Sequence, residues 1–143
     1  MRDGAEVKIS KRAGSYVTLR DLIDWVGRDA VRFFLAQRRA GSEFVFDIDL
    51  ALSHSEENPV YYIQYAHARI CSVFRNLGDM SETHNEAIGE AALDLLTEPN
   101  EIRLLRELSR YPEIIESCAR LRTPHQLAHY LQSLATEFHA YYN

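Results

Sequence analysis

Lys8, Ser10, Lys11 and Arg12 place three cations and a hydroxyl within five residues, and Ala13 and Gly14 follow them. Such a run suits a loop that closes over phosphates. Its ammonium groups can neutralise charge growing on a leaving pyrophosphate, a transition-state role that typically supplies several kcal/mol. By composition alone it is also an ordinary basic surface segment. Tyr65 and Arg69 stand four apart in a helical pattern and so share one face. An aromatic plane and a guanidinium one turn apart suit a single-stranded RNA loop, whose bases stack for roughly 1–3 kcal/mol each and whose phosphates pair. The same two residues can instead cover a core edge and pair with an acid such as Glu57.

Other candidate chemistry is weaker. His125 and His129 have the spacing of the H-E-x-x-H zinc motif, but Gln126 stands where the glutamate belongs and no third ligand is evident. Surface or capping roles are expected for them, and no metal. Cys71 and Cys118 are too few for a disulfide framework. Each sits among apolar residues at helical spacing and reads as a buried thiol. Neither adjoins a histidine in sequence, so a thiol nucleophile has no local support.

The elements that must carry these residues are almost all helical. Thr18 with Asp21 forms a capping-box pattern ahead of Leu19, Leu22, Ile23 and Val26, and Gly27 stops that stripe. Asp29 is placed to cap a second helix bearing Val31, Phe34 and Leu35. Residues 44–50 alternate with period two and predict an extended segment, which has no comparable partner and cannot make a sheet alone. Asn58 and Pro59 start the strongest element, with Val60, Ile63, His67, Ile70, Phe74 and Leu77 at spacings of three and four. Shorter helices follow around Ala87–Leu96, Ile102–Leu108 and Ile114–Leu121. Thr123, Pro124 and Gln126 predict an N-cap, a proline start and a capping-box glutamine for a last helix with Leu127, Leu131, Leu134 and Phe138 on one stripe.

With 143 residues, 46% of them hydrophobic and 26% charged, the chain has the make-up of a globular domain rather than of a disordered or fibrous one. No apolar run approaches the roughly 18 residues that span a bilayer, and no secretory signal is visible, so a cytoplasmic address and no membrane partner are expected. The formal net charge of −5 argues against a nucleic-acid binder only until it is divided. Residues 1–39 carry nine Lys or Arg against five Asp or Glu, net +4, and residues 40–143 carry seven against sixteen, net −9. A basic head precedes an acidic body. The polar start and the uncapped last helix imply a slice of a longer chain.

The segment KISKR, residues 8–12, resembles the KMSKS signature of class I aminoacyl-tRNA synthetases. KISKRAGSYVTLRDLI followed by GRDAVRFFL resembles the stretch leading out of the catalytic domain of arginyl-tRNA synthetases. FVFDIDLALSHSEENPVYYIQYAHARI is similar to the entry into that family's helical DALR anticodon-binding domain, and LAHYLQSLATEFHAYYN to a later helix of it. Ile9 and Arg12 depart from the signature's methionine and last serine. The HIGH signature and the Rossmann domain that carries it are not in the chain, so these residues alone are not expected to activate arginine.

The resemblance implies an all-α fold, with residues 1–50 as the signature loop and connecting helices and residues 51–143 as an anticodon-binding bundle. It implies ATP and Mg2+ as substrates of an intact, monomeric ligase, with tRNA(Arg) and L-arginine as partners. Lys8, Ser10, Lys11 and Arg12 fall on the ATP-phosphate loop, with Lys11 and Lys8 the catalytic pair that stabilises the transition state. Tyr65, Arg69 and Tyr142 fall where the family meets the tRNA, although Tyr142 can equally be a frayed end. The tetrad Asp29–Arg32 resembles the DALR-type sequence, with a structural role expected, and Tyr61 and Tyr62 are expected to pack helices. The alternatives are another class I synthetase, such as the cysteinyl enzyme, or a non-enzymatic helical module that binds protein.

Overall fold

The computed structural model describes residues 3–5, 16–79 and 85–142, and every regular segment among them is helical. Helix α1 (Leu19–Val26) opens on the expected capping box: the Thr18 hydroxyl accepts from the Asp21 amide at 3.1 Å, and the Thr18 amide donates to the Asp21 carboxylate at 2.7 Å. Gly27 both ends α1 and begins α2 (Arg28–Ala36), at φ +83°. A Cβ there would meet nothing within 4 Å, so the demand for glycine is purely conformational.

Asp29 does not cap α2. The helix starts two residues earlier than that cap would allow, its N-cap Gly27 offers no side chain, and Asp29 lies in the first turn, where its charge faces the positive end of the helix dipole. The extended segment predicted over residues 44–50 holds only to Asp47. The Asp47 side chain accepts from the Leu50 amide at 3.0 Å and starts α3 (Ile48–Leu52), because a local cap is available to these backbone groups and a partner strand is not.

Asn58 is 3% exposed and joins two elements. Its amide nitrogen donates to the carbonyls of Ala51 and Ser53, at 3.2 and 2.8 Å, while its oxygen accepts from the Val60 amide at 3.1 Å at the start of α4 (Pro59–Asp79). A short α5 (Glu86–Ala91) and a 3-10 turn (Leu93–Leu95) stand where one helix was predicted. They lead to α6 (Pro99–Ser109), α7 (Tyr111–Leu121) and α8 (Pro124–Tyr142). The capping box expected for α8 does not form. The Thr123 hydroxyl is buried without a hydrogen-bond partner, and the Gln126 side chain turns to accept from Ser117 at 3.3 Å.

Helix α8 packs against α2 and α4 on one side and α6 and α7 on the other. Its buried residues divide accordingly. Ala128, Ala135 and His139 form one stripe, which Gln132 joins by a 2.9 Å bond to Gln37 just beyond α2. Tyr130 lies on the opposite face and donates to the Glu107 carbonyl of α6 at 3.1 Å. The leucine stripe expected to lead, with Leu127, Leu131 and Leu134, is only half-buried, because the small alanines make the close approach. Burial and the Glu107 charge push the Tyr130 phenol above its ordinary value, so its contribution to stability is lost only as strongly alkaline pH rises through that raised value. The cluster of Ala30, Phe34, Ala51 and Val60, with Val26, Phe33, Phe46 and Leu50 against it, locks α2, α3 and α4 together.

Two outcomes follow from the caps. Asn58→Ala removes two buried donors and a helix cap, and thermal unfolding should record a loss of about 2 kcal/mol. Hydrogen bonds from the Thr18 side chain and backbone hold the Asp21 carboxyl below its ordinary value, so its contribution is present above the unfolded value and lost as pH falls through the folded one. A carboxyl NMR titration should find Asp21 low in the unaltered chain and moved back up in Thr18→Ala.

Candidate nucleic-acid interface

Tyr65 and Arg69 rise from the middle of α4, and α8 lays its last turn across them. The Arg69 guanidinium carbon sits 4.9 Å from the Tyr65 ring centre and 4.4 Å from that of Tyr142. The three residues singled out from sequence therefore meet. Tyr65 and Tyr142 remain 42% and 43% exposed, so their rings keep surface for an incoming planar group. Tyr142 is held by the Phe138 ring at 5.6 Å as well as by Arg69, which places it within the packed last turn of α8.

The stacking runs further than those three residues. Tyr61 lies parallel to Tyr65 within 5°, centres 5.9 Å apart, and His54 stacks on Tyr61 at 5.3 Å and 19°. His54, Tyr61, Tyr65, Arg69 and Tyr142 thus form one column of planar groups with α4 as its backbone. A cation between aromatic faces is favourable by about 0.5–2 kcal/mol, depending on how far it is desolvated. Beside the column opens a cavity of about 550 Å3, lined by Ser55, Glu56, Tyr62, Thr136 and His139 together with column residues.

Tyr61 and Tyr62, expected only to pack helices, take different places. Tyr62 packs, its ring 4.5 Å from that of His139, while Tyr61 belongs to the column and also walls a second hollow of about 610 Å3 between α1, α2, α3 and α4. Sequence reasoning missed His54 and His139. A signal for His139 was available, since it lies three residues before Tyr142 on one helix face. Its partner on α4, the Tyr62 carbonyl, is 77 residues away and only the fold supplies it.

The remaining candidates stand apart from the column. Lys8, Ser10, Lys11 and Arg12 lie outside the described residues. Arg32 is exposed on α2 and borders a small hollow against Leu127 and Leu131, and Asp29 pairs loosely with Arg28 at 3.7 Å. His125 and His129 face each other edge-on at 6.3 Å. Neither cysteine is buried: both are partly exposed, and α7, which carries Cys118, buries no residue fully. Cys71 also has a histidine one turn away, with Nε2 of His67 3.6 Å from its Sγ, a neighbour that sequence adjacency overlooked.

Known proteins resemble this chain in both sequence and fold. The family model described as the DALR anticodon binding domain matches residues 63–143, more than half of the chain. The chain is 62% identical over 143 residues to an arginine–tRNA ligase of Bordetella petrii and 58% identical over 144 residues to one of Thiobacillus denitrificans. Each match covers 100% of this chain and 25% of the relative, so the chain spans a quarter of the length of those proteins. A crystal structure described as an arginyl-tRNA synthetase from Campylobacter jejuni superposes with a TM-score of 0.80 at 30% identity, covering 100% of this chain and 30% of that one.

Proposed function

The chain belongs to the DALR anticodon-binding domain family found in arginyl-tRNA synthetases, and from that premise we propose that it holds the anticodon arm of tRNA(Arg) for an arginine–tRNA ligase. The observation that carries this reading is the Arg69 guanidinium set between the rings of Tyr65 and Tyr142 where α4 and α8 meet. Unpaired bases of an RNA loop stack on the exposed edges and faces of the column, while Arg69 supplies charge-assisted hydrogen bonds to a phosphate or a base edge. The acidic composition of residues 40–143 keeps the contact local, so few phosphates are neutralised and salt dependence is modest.

In the intact ligase, ATP with Mg2+ would activate L-arginine as an arginyl-adenylate before transfer to the tRNA. Lys8, Ser10, Lys11 and Arg12 are the donors this chain offers to the ATP phosphates, with Lys11 first and Lys8 second for the charge of the leaving pyrophosphate. We assign residues 1–50 to that loop and its connecting helices, and residues 51–143 to the tRNA-binding bundle. The core shared by Ala30, Phe34, Ala51 and Val60 supports a fixed junction between the two. A cytoplasmic, monomeric ligase is part of the same reading; among the described residues no helix is long and apolar enough to cross a membrane.

Filter binding at two salt concentrations tests the proposal. The chain should prefer tRNA(Arg) over other tRNAs, and Arg69→Ala should weaken that binding about tenfold, the loss of one charge-assisted contact. Equal retention of all tRNAs, or no effect of Arg69→Ala, would count against it. In the full-length ligase, Lys11→Ala should slow adenylate formation while leaving tRNA affinity unchanged.

A further inference from the structure

His139 is 6% exposed, on the face of α8 turned toward α4, and both of its ring nitrogens have polar neighbours. Nδ1 is 3.3 Å from Nη1 of Arg69. Nε2 is 3.3 Å from the backbone carbonyl oxygen of Tyr62. A guanidinium has donors only, and a carbonyl oxygen accepts only. One arrangement satisfies both contacts: Nε2 carries the proton and donates it to the Tyr62 carbonyl, and the bare Nδ1 accepts from Arg69. The other neutral tautomer opposes donor to donor at Arg69 and lone pair to lone pair at Tyr62. The charged imidazolium keeps the carbonyl contact but turns an N–H and a positive charge onto the guanidinium.

The ring is also fixed in place. Tyr62 packs on it at 4.5 Å, Tyr65 stacks at 5.5 Å and 23°, and Phe138 closes in at 5.7 Å. The ionisable groups around it are Arg69, Tyr62 and Tyr65 of α4, Tyr142 of its own helix and, lining the same cavity, His54 and Glu56. An arginine side chain has many rotamers, and a site that must collect it from solvent on each encounter loses affinity to that ordering. Here the acceptor is already in position.

Building on the tRNA-binding reading above, we propose that His139 is the positioning residue of this site: as the neutral Nε2–H tautomer, it pins the Arg69 guanidinium between Tyr65 and Tyr142. It acts through Arg69 and does not itself meet the RNA. The buried acceptor thus sets the plane of the Arg69 guanidinium, as outer partners orient ligands in other preorganised sites.

Three measurements on the 143-residue chain test this. Long-range proton–nitrogen NMR correlations of the free protein at neutral pH should show His139 protonated at Nε2 and bare at Nδ1. His139→Phe keeps a buried ring without nitrogens and should weaken tRNA(Arg) binding about tenfold, whereas His139→Gln, whose amide can offer oxygen to Arg69 and NH2 to the carbonyl, should bind within about threefold of the unaltered chain. In a double-mutant cycle, adding His139→Phe to Arg69→Ala should cost little more than Arg69→Ala alone. A proton on Nδ1, or a full additional loss in the Arg69→Ala background, overturns the positioning role. Arg69→Ala binding as tightly as the unaltered chain overturns instead the tRNA-binding reading on which it rests. Because the NMR measurement needs neither a variant nor RNA, it decides the tautomer even where His139→Phe folds poorly.

Discussion

Ala128 and Ala135 leave no bulk beyond Cβ on the face of α8 turned toward α2 and α4, and the closeness this allows sets the rest of the geometry. Helices meeting over small residues approach until backbone and side chain touch directly. At the far end of the same stripe, His139 reaches the Tyr62 carbonyl, and one turn further Tyr142 reaches Arg69. Larger residues at 128 or 135 would tilt the last turn of α8 away from α4 and open the column of planar groups. Tyr130 anchors the opposite face to α6, so α8 is held from both sides and its last turn projects as a supported element.

The choice of cation at position 69 follows from that setting. A guanidinium is planar and weakly hydrated, so it can lie between two rings and still present in-plane donors, whereas an ammonium would keep its water and point in one direction. Its charge stands in a chain whose body is strongly acidic. Under the proposed function, nucleic-acid affinity then rests on stacking and a few aligned donors rather than on a broad positive surface, the economy used for single-stranded loops. The part-exposed rings of Tyr65 and Tyr142, the buried histidine behind Arg69 and the adjoining cavity suit the few unstacked bases of the proposed function.

Much of the local chemistry was legible where its partners lie within one helical turn. Thr18 with Asp21, Asn58 with Pro59 and the glycine after Val26 were readable because each has a capping partner no more than four positions away. The same logic failed where a distant or better-placed partner intervened. Gln126 left the expected capping box for Ser117 on α7, Gly27 displaced Asp29 from the start of α2, and Asp47 turned an alternating segment into helix for want of a second strand. The cysteines were misjudged because an apolar stripe in sequence does not say how much of it another helix will cover.

The sequence by itself determined the helical class, most helix starts, the family and three residues of the candidate site, since periodicity, caps and motifs are recorded in neighbouring residues. Only the tertiary structure decided that Tyr65, Arg69 and Tyr142 share one column, that His54 and Tyr61 extend it, and that His139 stands behind Arg69 with a ring nitrogen toward its guanidinium. Those facts depend on two helices that begin 65 residues apart meeting over alanines. The depth at which small side chains let them meet is a property of packed volume, which no spacing along the chain encodes.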